Sequence, residues 1–193
     1  MPRRLLSALA LLAVLVGCAQ LPGTEPAVLP APRPARAAIE AYTFAGRIAL
    51  RKGEQRYAVN LTWRHAAQRD EILFATPLGQ GLAELTRDAA GARLTMADHR
   101  EFSAPDWQEL SAQVFGFSLP LDALPRWLAG VVPSDALGVK RDAANRPQYM
   151  VSEGWQINYL DYESPAADAL PTLLELKRED IEVRLKIDDW QLP

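Results

Sequence analysis

Apolar and polar residues alternate along most of the chain after about residue 40, which is the pattern of β-strands that bury one face. Two long strands are predicted first, joined by a polar hairpin turn at 51–54. Their apolar faces carry Tyr42, Phe44, Ile48 and Leu50 in the first strand and Tyr57, Val59, Leu61 and Trp63 in the second. Shorter strand patterns follow at 71–75, 82–87, 92–97 and 100–103. The first half of the chain is therefore predicted to be an antiparallel meander.

Helical spacing replaces this alternation in the middle of the chain. A helix is predicted over 106–115, where apolar residues recur near helical spacing and Gly116 marks the end. A second short helix is predicted near 121–129, between Pro120 and Gly130. Strand patterns then return at 148–152, 155–159, 170–177 and 181–187. The last of them has one apolar and one charged face, as expected for a sheet that is wet on one side.

These elements predict a mainly β fold of the α+β class. About ten strands and two or three short helices favour one strongly curved antiparallel sheet or open barrel, with the helices on its concave side. The inward residues of such a sheet either fill a solid core or line a hollow one. The alternation does not distinguish these two interiors.

A different pattern precedes the strands. Arg3 and Arg4 are followed by an apolar run at 5–16 and by the small residue Gly17. As a helix this run would span about 18 Å, which is shorter than the hydrocarbon core of a bilayer at about 30 Å. The layout is typical of a secretory signal peptide, predicted over 1–17.

The string Leu-Val-Gly-Cys at 15–18 resembles a bacterial lipobox, in which the cysteine becomes lipidated and begins the mature chain. The alternative is an ordinary export signal with an incidental cysteine; Cys18 is the only cysteine, so it has no disulfide partner within the chain. Ala19 occupies the position where lipoproteins retained in the inner membrane typically carry Asp, which implies the outer membrane. Residues 18–38 are rich in proline and are predicted to be a tether. Residues 39–193 have the usual length of one folded domain.

Composition and charge exclude several classes of function. The formal charge of −3 becomes −5 when Arg3 and Arg4 leave with the signal peptide, and Lys and Arg are not clustered along the chain. A nucleic-acid partner is therefore not expected. His65 and His99 lack metal-ligand spacing and are interpreted as solvated turn residues. The chain also lacks a nucleophile elbow, a phosphate-binding glycine loop and a Cys-x-x-Cys pair, so we expect no enzyme activity, cofactor or metal.

Several short strings occur in a fixed order across nearly the whole predicted domain. They are Phe-Ala-Gly-Arg-Ile-Ala at 44–49, Trp63, Pro77-Leu78-Gly79, 119–130 from Leu-Pro to Ala-Gly, Gly-Trp-Gln-Ile-Asn-Tyr at 154–159, Leu170-Pro171 and Trp190. With the lipobox, they make the chain resemble the LolB family of outer-membrane lipoproteins. The resemblance implies an open, half-closed antiparallel β-barrel with helices over an apolar cavity. It also implies a receptor that takes acylated lipoproteins from a LolA-like periplasmic carrier and places them in the outer membrane.

The expected partners are therefore the carrier, the lipoprotein cargo and outer-membrane lipid, and the chain is expected to be a monomer. Acyl chains need an apolar enclosure, and aromatic and branched residues on the inner sheet face and on the helices are candidates to line it. These candidates are Phe44, Ile48, Trp63, Phe74, Leu85, Leu94, Trp107, Trp127, Trp155, Ile157 and Leu185. Ordinary core packing is the alternative role for each of them.

The Pro77-Leu78-Gly79 string is predicted to form a loop tip between two strands. The resemblance implies that this loop delivers cargo into the membrane, with Leu78 entering lipid. The alternative is a leucine folded back onto the sheet edge. Three other functions stay open: an assembly lipoprotein with a filled core that binds another envelope protein, a lipid-binding lipoprotein of another pathway, and a lipid hydrolase whose nucleophile and base the sequence does not reveal.

Overall fold

One antiparallel sheet contains all the strands in the part of the chain that the computed structural model describes, residues 35–193. The predicted signal peptide, Cys18 and most of the predicted tether lie outside the described residues. The strands are β1 Ala41–Lys52, β2 Gln55–Ala66, β3 Arg69–Ala75, β4 Gly81–Asp88, β5 Gly91–Met96, β6 Glu101–Ala104, β7 Leu137–Arg141, β8 Pro147–Ser152, β9 Trp155–Tyr162, β10 Pro171–Arg178 and β11 Ile181–Gln191. Two helices, α1 Trp107–Phe115 and α2 Leu124–Leu128, interrupt them between β6 and β7.

The strands lie in the order β6-β5-β4-β3-β2-β1-β11-β10-β9-β8-β7. Each half of the chain forms a meander, and the two meanders meet where β1 pairs with β11. Because β6 and β7 each have a neighbour on one side only, the sheet is open. The prediction of a mainly antiparallel β fold with two short helices is confirmed. Strand β7 was not predicted, because all its residues are exposed and it therefore has no alternation of buried and exposed positions.

The junction of the two meanders depends on a close approach of their backbones. The β1–β11 register shifts between Ala45 and Gly46, which marks a β-bulge. A Cβ atom at Gly46 would clash with the backbone oxygen of Lys186 and lie 3.2 Å from Cα of Ile187. Glycine is therefore required at this position for steric reasons, although its φ angle is ordinary.

The first helix begins and ends where its sequence signals predict. The side chain of Asp106 accepts a hydrogen bond of 2.8 Å from the backbone N–H of Glu109, which is an N-cap. Gly116 follows the helix with φ of 75°, and its N–H donates to the Ala112 carbonyl. Such a left-handed residue costs least when it is glycine. The helix consequently presents Trp107 and Leu110 to the sheet, where both are buried.

The second helix is fixed by hydrogen bonds from tyrosines on two different strands. The hydroxyl of Tyr159 on β9 donates to the Trp127 carbonyl at 2.9 Å, and that of Tyr42 on β1 donates to the Pro125 carbonyl at 3.4 Å. Burial raises the pKa of both tyrosines well above the usual value, so both hydroxyls keep the proton that they donate. Helix α2 therefore covers the middle of the sheet, and no helix in residues 35–193 combines the length and apolarity needed to cross a bilayer.

The chain enters the sheet through a short 3-10 turn, Arg36–Ala38, at the end of the predicted tether. The Arg36 guanidinium donates to the carbonyls of Ala167 at 2.8 Å and Ala169 at 2.6 Å, in the link between β9 and β10. Its carbon also lies 5.9 Å from the centroid of the Tyr162 ring. The described residues of the tether are thus attached to the folded domain.

The β1–β11 junction makes a direct prediction for Gly46→Ala. The added methyl group has no space beside the β11 backbone, so we expect the variant to lose about 2 kcal/mol or more of unfolding free energy. Gly81→Ala is the matched control, because a Cβ at Gly81 has no neighbour within 4 Å. Urea denaturation followed by tryptophan fluorescence compares the two. Equal stability of both variants would contradict the steric role of Gly46.

Candidate functional site

An apolar cavity of about 250 Å³ lies between the inner sheet face and the helical segment. Strands β1 to β5 and β11 form one wall, and the end of α1 and the segment around α2 form the other. The sheet wall consists of Ile48, Leu50, Tyr57, Val59, Leu61, Trp63, Ile72, Phe74, Leu82, Ala83, Leu85, Leu94, Met96 and Leu185. The helical wall consists of Val114, Phe115, Leu119, Leu121 and Leu124. The chemistry of this lining suits hydrocarbon and offers no ionised group to a ligand.

The cavity gathers only part of the residues predicted to line it. The predicted residues that the structure does place on its wall are Ile48, Trp63, Phe74, Leu85, Leu94 and Leu185. The remaining predicted residues, Phe44, Trp107, Trp127, Trp155 and Ile157, do not line it and are almost completely buried in the core. Helix α2 lies over β1 and β9, where it accepts hydrogen bonds from Tyr42 and Tyr159, and the Trp107 ring packs 5.9 Å from the Trp63 ring. For these residues the alternative of core packing is the correct one.

Sequence reasoning missed the helical wall of the cavity. Val114 and Phe115 sit at the C-terminal end of α1, and Leu119 and Leu121 lie in the loop that follows. An apolar pair directly before the helix-ending Gly116 was the available signal, because apolar residues at a helix end favour contact with another element. Spacing alone does not tell whether that element is packed against them or stands across a gap.

Two aromatic side chains mark the mouth of the cavity. Tyr57 on β2 is 51% exposed and Phe115 at the end of α1 is 40% exposed, although both also line the cavity. Their ring centroids lie 6.5 Å apart in an edge-to-face arrangement. The cavity therefore reaches solvent between the first residues of β2 and the last residues of α1.

The predicted loop tip forms a tight turn between β3 and β4, and we call residues 76–80 the tip loop. The N–H of Gly79 donates to the Thr76 carbonyl at 2.9 Å, and the Gln80 N–H donates to the Thr76 hydroxyl oxygen at 3.1 Å. Proline presets one central φ angle of such a turn, and Gly79 adopts φ of 85°. Between these fixed positions Leu78 is 92% exposed. The alternative of a leucine folded back onto the sheet is therefore wrong.

The tip loop and the cavity mouth lie at the same end of the sheet. Ala75, the last residue of β3, pairs with Asn60 on β2, and Tyr57 lies three residues before Asn60 on that strand. Three residues of β-strand span about 10 Å. The exposed leucine and the exposed aromatic pair therefore both lie at the end of the sheet where β1, β3 and β5 end.

A buried carboxylate stabilises the closed end of the cavity wall. Asp70 is 1% exposed and accepts hydrogen bonds of 2.8 Å from the Trp63 indole N–H and 2.8 Å from Nε of Arg87. Nδ1 of His65 lies 2.6 Å from the same carboxylate, so the prediction of a solvated His65 is wrong. The Arg87 guanidinium carbon lies 5.6 Å from the ring centroid of Trp107 at the start of α1. This network therefore joins the cavity wall to the first turn of the helix.

The electrostatics of Asp70 follow from this network. Burial alone would raise the pKa of its carboxyl, but the hydrogen bonds from His65, Trp63 and Arg87 outweigh burial and hold the pKa below its usual value. The sequence pattern that could have indicated this network is a charged residue on an apolar strand face, since Asp70 shares a face of β3 with Ile72 and Phe74. Within residues 35–193 there is no group of three or more His, Cys, Asp or Glu side chains that could hold a metal ion.

Comparisons of the sequence with known proteins identify similar proteins over nearly its whole length. The family model described as outer membrane lipoprotein LolB matches residues 40–190. A protein of Azoarcus named outer-membrane lipoprotein LolB is 35% identical over 193 residues, covering 98% of this chain and 97% of the relative. A protein of the same name from Nitrosomonas europaea is 35% identical over 192 residues, covering 95% of this chain and 90% of the relative.

Solved structures of low sequence identity share the fold. A putative outer membrane lipoprotein-sorting protein domain from Vibrio parahaemolyticus superposes with a TM-score of 0.51 at 11% identity, covering 81% of this chain and 88% of that chain. A DUF1329 family protein from Desulfovibrio piger superposes with a TM-score of 0.53 at 7% identity, covering 81% and 87%. At such identities the likeness concerns the fold alone.

The buried network predicts a stability defect in Asp70→Asn. Loss of the charge leaves the partly buried Arg87 without its counter-ion, and we expect about 3 kcal/mol of destabilisation at neutral pH. Glu71→Gln is the control, since its pair with Arg64 is largely exposed and worth at most about 1 kcal/mol. Urea denaturation measures both variants.

The stability difference between the native protein and Asp70→Asn is predicted to depend on pH. Because the folded-state pKa of Asp70 is lowered, its contribution is present above the unfolded value, about 3.9, and is lost as the pH falls through the folded-state pKa. The stability gap between the native protein and Asp70→Asn should therefore narrow below about pH 4. A gap that stays constant with pH would contradict an ionised, hydrogen-bonded Asp70.

Proposed function

Because the chain belongs to the LolB family of outer-membrane lipoproteins, we propose that it accepts acylated lipoproteins from a soluble periplasmic carrier and inserts them into the outer membrane. The observation that supports this proposal most strongly is the apolar cavity whose mouth lies at the same end of the sheet as the exposed leucine loop. An assembly lipoprotein that only binds a partner would have no need of a hollow interior, so the cavity favours an acyl receptor over that alternative.

The free energy of the cargo explains why a cavity is needed. A buried methylene contributes about 0.8 kcal/mol, so one long acyl chain with about 15 methylenes carries about 12 kcal/mol of hydrophobic free energy. No exposed surface site compensates a cost of this size. The aliphatic and aromatic wall between sheet and helices meets it without directional bonds, so it accepts acyl groups whatever protein they carry.

The size of the cavity points to movement of the helical wall during binding. Its volume of about 250 Å³ is slightly below the usual range of ligand pockets, about 300 to 1,000 Å³, whereas the cargo carries two or three acyl chains. The proposal therefore requires the mouth to widen, and the end of α1 with Phe115 is the wall element that is already partly exposed.

The direction of transfer has to come from differences in affinity. The chain carries no glycine-rich phosphate loop that would couple transfer to a nucleotide. Acyl groups would then pass from a weaker-binding carrier to this cavity and finally to the bilayer. Such a cascade requires the cavity to bind tightly enough to take cargo and loosely enough to release it.

The location supports the same role. The named relatives are outer-membrane lipoproteins. We propose that acyl chains on Cys18 anchor this chain to the periplasmic face of the outer membrane, with the tether 18–38 between lipid and domain. Two or more acyl chains suffice for stable anchoring.

The decisive experiment is transfer of a fluorescently acylated lipoprotein from its soluble carrier to the purified protein. We expect uptake by the native protein and at least about tenfold weaker uptake by Ala83→Phe, whose larger side chain enters the cavity. Glu84→Phe is the matched control, because it adds the same side chain to the neighbouring, exposed position of β4. Absence of uptake by the folded native protein would refute the receptor proposal, and equal uptake by both variants would refute this cavity as the site.

A second experiment separates acceptance of cargo from its insertion. Leu78→Glu should accept cargo normally but deliver it to liposomes at least about tenfold less efficiently, because burying a leucine is worth about 1.5 to 3 kcal/mol and a carboxylate opposes entry into lipid. Leu137→Glu is the control, since Leu137 is 69% exposed but lies on the edge strand β7. Flotation of labelled cargo with liposomes measures delivery. Impaired cargo acceptance by Leu78→Glu would contradict a separate role for the tip loop.

A further inference from the structure

The outer face of the sheet gathers basic side chains that are far apart in the sequence. On the three central strands, Ala49 pairs with Arg184 on one side and with Ala58 on the other. One step towards the β1–β2 turn, Arg51 pairs with Glu182 and Arg56, and one step the other way Arg47 pairs with Lys186 and Asn60. We call the resulting cluster the basic patch: Arg47, Arg51, Arg56, Arg184 and Lys186.

The patch carries more positive charge than its own carboxylates neutralise. Asp188 pairs with Arg47 at 3.0 Å and lies 3.7 Å from Lys186, and Glu182 pairs with Arg51. Arg56 and Arg184 are exposed and have no ion-pair partner within residues 35–193. Asp161 on β9 lines the same surface, so the five cations of the patch face three carboxylates. This excess of cations stands on a chain whose formal charge is −3. The patch is therefore a positively charged region on a protein whose net charge is negative.

The shape of the patch suits a broad anionic surface. Ala49 and Ala58 lie at its centre, and their small side chains leave a shallow depression of about 570 Å³ between the longer cations. Pro77 of the tip loop lines the same depression as Arg47, Arg184 and Lys186. The patch and the loop that carries the exposed Leu78 are thus one continuous surface.

We propose that the basic patch binds the phosphates of anionic phospholipid headgroups while the tip loop enters the membrane. The proposal rests on the proposed function, because insertion of Leu78 would bring the depression behind Pro77 to the level of the headgroups. Arginine forks bind phosphate oxygens in pairs, and a leucine next to cations is the combination that proteins use at a lipid interface. Long-range attraction by the patch would also turn the tip loop towards the membrane before contact.

The test is flotation of the unlipidated chain from residue 18, carrying Cys18→Ala, with vesicles of two compositions. One is phosphatidylcholine alone and the other contains a quarter phosphatidylglycerol. We expect about tenfold tighter binding to the anionic vesicles at low salt, and loss of most of this preference at high salt. The double variant Arg56→Glu/Arg184→Glu should bind both vesicles alike.

A matched double variant controls for net charge. Arg69→Glu/Arg126→Glu makes the same change at exposed residues outside the patch, one at the start of β3 and one on α2. It should keep the preference for anionic vesicles. Equal binding of the native chain to both vesicles, or equal loss in both double variants, would overturn the proposal.

Cargo uptake distinguishes failure of this proposal from failure of the proposed function. If the patch variant keeps its preference for anionic vesicles but no longer takes cargo from the carrier, the patch serves an acidic surface of the carrier and the lipid proposal is wrong. If vesicle binding depends on the patch but the native chain takes up no cargo, the headgroup proposal is supported and the receptor role is refuted. Normal cargo uptake by the native chain without any preference for anionic vesicles would support the receptor role and refute the headgroup proposal.

Discussion

The inner face of the sheet is an apolar surface that two short helices must keep from water, and the rest of the structure follows from how incompletely they do so. The sheet has eleven strands, whereas α1 has nine residues and α2 has five. Helix α2 and the buried tryptophans fill the space over the middle and one half of the sheet. Over the other half, loop residues and the end of α1 form a roof with a gap beneath it, and that gap is the cavity.

The indole N–H on the cavity wall is hydrogen-bonded within the protein and needs no ligand to satisfy it. Trp63 lines the cavity, yet its indole N–H is bonded to Asp70 at 2.8 Å, which in turn is bonded to Arg87. A cavity wall with an unpaired N–H would favour water or a polar ligand over hydrocarbon. The buried network thus serves the apolar character of the cavity as well as the position of α1.

Short sequence patterns predicted the individual strands, helices and turns, but they did not predict the contacts between side chains on different strands. Alternation, the Asp106 cap, Gly116 and the Pro77-Leu78-Gly79 turn predicted most strands, one helix and the exposed loop, because each depends on a few neighbouring residues. Alternation places a residue such as Trp155 on the inner face, but what stands opposite that face depends on α2. The Asp70 network and the basic patch need the pairing register of several strands, which short-range patterns do not contain.

The pairing of β1 with β11 has a consequence for how the protein is made. The central contact of the sheet joins Thr43 to Gln191 and Lys52 to Ile181, so the first and the last strands of residues 35–193 form the seam between the two meanders. Contacts between such distant residues form slowly because a long loop has to close first. The sheet cannot be completed before its final strand is available. A chain that is threaded across a membrane from its N-terminus would therefore be unable to form this seam until β11 has crossed.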